Sequence, residues 1–374
     1  MEENTVKKKV KLPENWKRWF WVLIPLVITL ILQLLARKVG WFGTWYIRTV
    51  YPVFVNTLGR VMSIFPFSVV EIGLYVLILG FVVYTVVLVV KAIRKQGHPL
   101  KLFVGWIHKG LTTVALLLMV YTVTCGVNYY AQAFSATQGL KIQKSTKEEL
   151  IALTRFLAEQ VNEAAKQMTT DEDGCTKITV DVQAEAVKAM HAAAAEYPVL
   201  EGYFPKPKLV LVSRILSVQQ VSGVYSPFTV EANVNREMTA YNIPFTACHE
   251  LSHLKGFMRE DEANFIAYLA CAASDCAEFN YSGALLAYIY SGNALYSADK
   301  DTYWEIRDTL SDVAKKDLAA NNAFWDRFET KIAEVHDKVN NSYLQSNGQS
   351  DGTKSYGRMV DLLLAMMRER TDAE

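Results

Sequence analysis

Cysteine is sparse in this chain: five residues in 374, at positions 125, 175, 248, 271 and 276. None stands in a CxxC pair, which argues against a zinc ribbon, and the set makes no even, tightly spaced disulfide framework. Cys271 and Cys276 are five apart on an expected helix, an awkward spacing for a bridge within it. The cysteines read as small buried apolar groups, with a disulfide open to them in an oxidising compartment. An excess of charge is also missing. Lys plus Arg number 39 and Asp plus Glu 38, a net charge of +1, and nothing in that balance suggests a nucleic-acid partner. Histidine is limited to six residues. No internal repeat and no long low-complexity stretch is present.

Long uncharged apolar runs, by contrast, are plentiful in the first third. Residues 19–36 read "WFWVLIPLVITLILQLLA", 72–90 "IGLYVLILGFVVYTVVLVV" and 111–130 "LTTVALLLMVYTVTCGVNYY". Each approaches the roughly 20 residues a helix needs to cross about 30 Å of hydrocarbon. Trp16, Trp19, Trp41, Trp45, Trp106, Tyr129 and Tyr130 sit at or near their ends, as interfacial aromatics do. The first run is long for a signal peptide and "LLARKVGW" offers no small-residue cleavage site, so its retention is expected. Lys7, Lys8, Lys9, Lys11, Lys17 and Arg18 precede the first run, and Lys91, Arg94, Lys95, Lys101 and Lys109 occupy a short loop between the second and third. The positive-inside bias then puts the N-terminus in the cytoplasm and everything after Tyr130 outside it. Segment 41–66 is aromatic and amphipathic, and is expected on the outer membrane surface.

After residue 130 the composition changes, and a second, extracytoplasmic domain over 131–374 is expected. Ser145 and Glu148 fit a capping box opening a helix to about 167, and a second helix covers 182–196. Residues 207–213 read as a buried strand, and 223–235 as a strand whose proline argues for an edge. From 243 the pattern is helical: 243–255, 260–273, 281–297, 300–318, 321–340 and 355–370. The expected fold class is membrane-anchored α+β: three transmembrane helices, then a mainly helical domain with a small sheet.

The most informative stretch is "CHELSHLKGFMREDEANF", 248–265. His249, Glu250 and His253 form HExxH. On a helix the two imidazoles share one face and can grip one ion, and nitrogen ligands in a tetrahedral site suit zinc. Glu250, one position away, reaches a bound water as a general base must. Gly256 can end the helix and return the chain toward the ion, bringing Glu260, Asp261 and Glu262 with it. Acidic residues are also favoured at a helix start by the dipole alone, whatever they bind. Glu260 is favoured as third ligand, since it shares a face with Asn264, which then steadies a ligating histidine; Glu262 remains the alternative. Tyr356, Arg358 and Tyr241 are candidate donors to a developing oxyanion, each with an ordinary packed or solvated role as the plainer reading.

HELSH followed by a glutamate opening a helix resembles the zincin metallopeptidases, in particular the glutamate-ligand gluzincins, with "EDEAN" in the place of their ExxxD-type helix. That resemblance implies Zn2+ held by His249, His253 and Glu260, with Glu250 as base. The layout of three N-terminal spans, the HELSH stretch and "SYGRMVDLLL" (355–364) also resembles a bacterial membrane protein family of unknown function. The expectation is therefore a zinc metallopeptidase in the bacterial plasma membrane, with the lipid bilayer and a peptide or protein substrate as partners. A silent metal-binding sensor or scaffold, or a zinc hydrolase of a non-peptide bond, stands as the alternative.

Overall fold

The computed structural model describes residues 16–373; Lys7, Lys8, Lys9 and Lys11, counted above toward orientation, lie outside the described residues. Three helices are long and apolar enough to cross a membrane: Lys17–Lys38, Val69–Ile93 and Pro99–Tyr130. The third is longer than expected. Its 32 residues span about 48 Å at 1.5 Å per residue, against about 30 Å of hydrocarbon. The basic loop expected over 91–110 shrinks to the few residues around Gln96–His98, because Pro99 sits at the first position of the helix, where it needs no N–H bond. Lys101 and Lys109 therefore ride on helix.

The rest of the described chain is helical, with one small sheet. Its three strands, β1 (Lys208–Leu209), β2 (Gly223–Ser226) and β3 (Glu231–Val234), lie in the order β1-β3-β2. β1 runs parallel to β3, and β2 antiparallel with Tyr225 opposite Ala232. The single strand expected over 223–235 is thus a hairpin, folded at Pro227–Val230, where proline cannot donate to a ladder. Its first arm, β2, is an edge strand, as the proline suggested.

Three boundaries move for local reasons. The capping box is Thr146 with Glu149, one residue later than Ser145 with Glu148, since the sequence satisfies the spacing twice. The helix expected at 300–318 breaks after Asp308 and restarts at Asp312, where Ser311 accepts the Ala314 N–H, an N-cap contact that contributes about 1 kcal/mol. The next helix then runs over Lys331–Ser346, with Thr330 as its cap.

Residues 42–62 are mostly helical, and their amphipathic face turns to the protein rather than lying free. Tyr46 donates to the Val123 carbonyl at 2.7 Å, and Tyr51, 1 % exposed, donates to the Leu254 carbonyl at 2.8 Å. One buried cluster accordingly runs from Ala36 through Cys125 to Met366, so packing is continuous across residue 130. The three long apolar helices meet this body at one end each. Arg37 donates to the Ser346 carbonyl at 2.9 Å. The Glu71 carboxylate accepts the Leu211 and Val212 amides at 2.8 Å each, while Glu231 accepts those of Val69 and Val70. Tyr129 donates to the Tyr343 hydroxyl at 3.0 Å.

Candidate metal centre

The HExxH stretch lies on a helix over Asn242–Leu254 in which all residues but Ile243 are buried. It packs against the helices Val182–Glu196, Glu260–Ala272 and Ala277–Ala298 and against β2 and β3. A buried helix of this kind keeps polar side chains only where they have partners. Its end is a Schellman turn: Gly256 N–H donates to the His253 carbonyl at 2.8 Å and Phe257 N–H to that of Ser252 at 3.1 Å. Gly256 takes φ +108°, the left-handed conformation expected of it, and a Cβ there would also meet Ile47 at 2.6 Å.

The turn delivers the next helix, Glu260–Ala272, with its three acidic residues buried. They do not share one job. Glu260 Oε2 lies 3.3 Å from His249 Nε2 and 3.5 Å from His253 Nε2. Asp261 pairs with Arg259 at 3.1 Å. Glu262, the alternative third ligand, turns the other way and accepts from Ser135, at 2.9 Å from the backbone and 2.6 Å from the hydroxyl. On an ideal helix two residues are about 200° apart, so Glu260 and Glu262 face opposite directions.

His249, His253 and Glu260 each offer one ligand atom, and these atoms lie within 4.8 Å of one another. The rings are edge to face, centroids 4.6 Å apart. His253 Nδ1 is 2.8 Å from the Phe257 carbonyl. With one proton donated there, loss of the other leaves Nε2 bare toward the cluster, the tautomer a cation requires. Glu260 Oε2 and Glu250 Oε2 are buried without a hydrogen-bond partner. Two imidazole nitrogens, a carboxylate oxygen and unpartnered buried acceptors make a donor set that fits a divalent cation of the zinc type. Asn264 lies beside His249 and favours its charged form. Its amide nitrogen also reaches the Tyr356 carbonyl at 3.5 Å.

Electrostatics separate the four groups. Burial pushes Glu250 up to about 8, nearby Glu260 adding to the rise. Burial pulls His253 down, but the Glu260 carboxylate outweighs it and lifts the ring to about 9. His249 is lowered, burial dominating. Burial opposes the charge on Glu260, yet the two imidazoles hold it well below the ordinary carboxylate range.

The cluster opens into a cleft of about 410 Å³. β2 forms one wall. Tyr225 turns its backbone N–H toward the Glu250 carboxylate, so the edge of β2 away from β3 faces the cleft. Gly223 allows this approach: a Cβ there would lie 2.5 Å from Glu250 Oε1. The opposite wall is the helix Lys331–Ser346, through His336, Asp337, Asn340 and Tyr343. None of these was legible from spacing, since the helix sits some 80 residues past the motif and its pattern is that of a solvated amphipath. Tyr356 also lines the cleft, its hydroxyl accepting weakly from Asn340 at 3.5 Å. Arg358 instead pairs with Asp351 at 2.9 Å, and Tyr241 is buried outside the cleft lining. The floor includes Cys125 and Tyr129, from the C-terminal end of the third apolar helix. No disulfide forms among the described residues; Cys125, Cys248 and Cys271 are buried thiols, and Cys175 and Cys276 are partly exposed.

Residues 46–364 match the family described as a protein of unknown function, DUF3810, and the chain belongs to that family. No curated protein and no solved structure matches it.

Proposed function

We propose that this chain is a membrane-anchored zinc metallopeptidase, with its N-terminus in the cytoplasm and its HExxH region on the far face of a bacterial plasma membrane. The observation that carries the reading is the convergence of His249, His253 and Glu260 with the unpartnered Oε2 of Glu250 beside them. The motif's likeness to gluzincins points the same way. Orientation follows from Lys17, Arg18, Lys91, Arg94, Lys95, Lys101 and Lys109 gathering at one end of the three apolar helices.

A zinc ion held by the three side chains would act as a Lewis acid on a substrate carbonyl and on water. Glu250, with its Oε2 free beside the cluster, would accept a proton from that water and pass it to a leaving amine. The free edge of β2 suits an extended peptide, whose backbone can pair with Gly223 and Tyr225. Tyr356, whose hydroxyl is held well above its usual range first by burial and then by Glu260, stays protonated and can donate to a developing oxyanion.

The test compares the full-length chain with Glu250→Gln, His249→Ala and His253→Ala in detergent, reading zinc stoichiometry and cleavage of a peptide library. Glu250→Gln is expected to keep zinc and lose about 10²–10⁴-fold in turnover. Either alanine variant is expected to lose the ion. Equal cleavage by wild type and Glu250→Gln would remove the peptidase reading; stoichiometric zinc in both alanine variants would remove the ligand assignment.

A further inference from the structure

HExxH begins about 120 residues after the third apolar helix ends, yet that helix forms the floor of the cleft. Cys125 Sγ lies 3.5 Å from Met258 Sδ, two residues before Glu260. The level of this contact along the apolar helices is fixed by Gly126, whose α-carbon backs onto Gln33 of the first, one turn before Arg37. Arg37 and Tyr129 in turn fasten the far end of the helix Lys331–Ser346. The cleft therefore sits at the depth where the first and third apolar helices end, not on a stalk above them.

The helix that walls it has a second face. Ile332, Val335 and Val339, at i, i+3 and i+7, form a stripe 58 %, 60 % and 62 % exposed. His336 and Asn340 lie next to that stripe around the helix, so the apolar face borders the cleft mouth. Nothing among the described residues covers it. Its C-terminal end is tied to two of the three apolar helices, which leaves the bilayer surface as the occupant nearest to hand; an apolar stripe bordered on one side by Lys331 and Lys338 suits that interface.

We infer that the helix Lys331–Ser346 rests on the lipid interface and that the cleft beside it accepts polypeptide where it leaves the bilayer, making the juxtamembrane segments of membrane-anchored proteins the substrate class. The substrate half rests on the peptidase reading; the placement half does not.

Both halves are tested on the full chain in vesicles of phosphatidylglycerol and phosphatidylethanolamine. Single cysteines at Val335 and Val339, in a background with the native thiols replaced, carry a fluorophore challenged by brominated lipid and by aqueous iodide. Strong quenching by brominated lipid and weak quenching by iodide is the expected result. Iodide quenching alone overturns the placement, as does shielding from both quenchers, which would mean a second copy covers the stripe. For the substrate, a single-span reporter carries a randomised twelve-residue segment either directly after its span or beyond a thirty-residue polar spacer, and cleavage is scored above the Glu250→Gln background. At least tenfold preference for the adjacent segment is expected, and equal or reversed preference overturns the substrate class. Cleavage equal to the Glu250→Gln background in both reporters overturns the peptidase reading and the substrate class with it, while the quenching pattern still decides the placement.

Discussion

The second and third apolar helices are built for different surroundings. None of the most apolar stretch of Val69–Ile93 is buried inside the protein, whereas 33 % of that of Pro99–Tyr130 is. The second carries Gly73 and Gly80 with nothing within 4 Å of an added Cβ. The third ends in a π turn over Thr122–Gly126, with Thr122, Thr124 and Cys125 almost fully buried against protein. Polar residues at the end of a hydrophobic helix are expensive in lipid and tolerated where protein supplies the partners. Here the Thr124 carbonyl accepts from Tyr225 of β2 at 3.1 Å. One helix stands clear of the protein along its most apolar stretch; the other also walls the candidate centre. A segment's departure from uniform apolarity is thus a mark of contact with the centre.

The largest effect expected from this contrast comes from two segment exchanges. Replacing 122–126 with five leucines puts side chains where a Cβ on Gly126 would lie 2.8 Å from Gln33 Nε2 and where Cys125 meets Met258. Misplacement of about 1 Å at a reacting centre costs about 10²-fold, so turnover should fall at least that far and zinc affinity with it. Leucines over 78–82 should leave both unchanged. Zinc titration and peptide cleavage check the pair, and equal behaviour of the two would erase the distinction between free helix and wall.

The HExxH helix, the Gly256 turn and the choice of Glu260 over Glu262 as the residue facing the imidazoles were legible because helical periodicity decides them within one or two turns of chain. The zinc chemistry assigned to them stays a proposal. His336, Asp337, Cys125 and Tyr129 were not legible. Their contribution to the cleft arises from tertiary packing between segments separated by more than 70 residues, for which a single sequence has no periodic signal. Segment 41–66 shows the same gap from the other side. Its amphipathic face was plain, but a protein partner and a lipid surface ask for the same pattern, and Tyr46 and Tyr51 found protein. The doubled capping box at 145–149 and the break at 309–311 are cases where two local solutions fit and packing chose.

A smaller, cleaner contrast uses one methyl group. Gly43→Ala would bring Cβ to 2.5 Å from the Tyr130 carbonyl carbon and 2.8 Å from the Ala131 nitrogen, both backbone and unable to swing away. Overpacking of this kind costs about 1–3 kcal/mol. Gly80→Ala, with open space around it, should leave stability unchanged or slightly raised. Thermal melts of the two variants in one detergent would decide it; a destabilised Gly80→Ala would mean the second helix has a packing partner after all.

The pH dependence of metal uptake should belong to the centre rather than to either helix. In the metal-free protein His253 is lifted to about 9 by the Glu260 carboxylate, which outweighs burial. A cation binding at Nε2 must displace that proton. Below about pH 9, each unit of acidification should therefore weaken zinc binding about tenfold, and above it this dependence should vanish. Chelator competition measured from neutral to alkaline pH checks the sign. Affinity that rises on acidification would contradict the ligand set.

The smallest effect lies far from both helices and serves as their control. Arg368 donates to both Glu149 oxygens, at 2.6 and 2.9 Å, and to Ser145 Oγ at 2.8 Å, which is where the residue expected as helix cap went instead. These bonds, with the Thr146 amide second, hold Glu149 down to about 2. A depressed carboxylate stabilises the folded state above its unfolded pKa of about 4.3, and that contribution fades as pH falls toward the folded value. Water still reaches the pair, so the gain is small. Glu149→Gln should lower Tm slightly at neutral pH, with the gap to wild type closing on acidification. A gap that stays constant would assign the loss to the helix cap, because a glutamine there still accepts the Thr146 amide poorly at every pH. Zinc stoichiometry should be untouched in either case, since the helix Met359–Ala373 meets the centre only through packing.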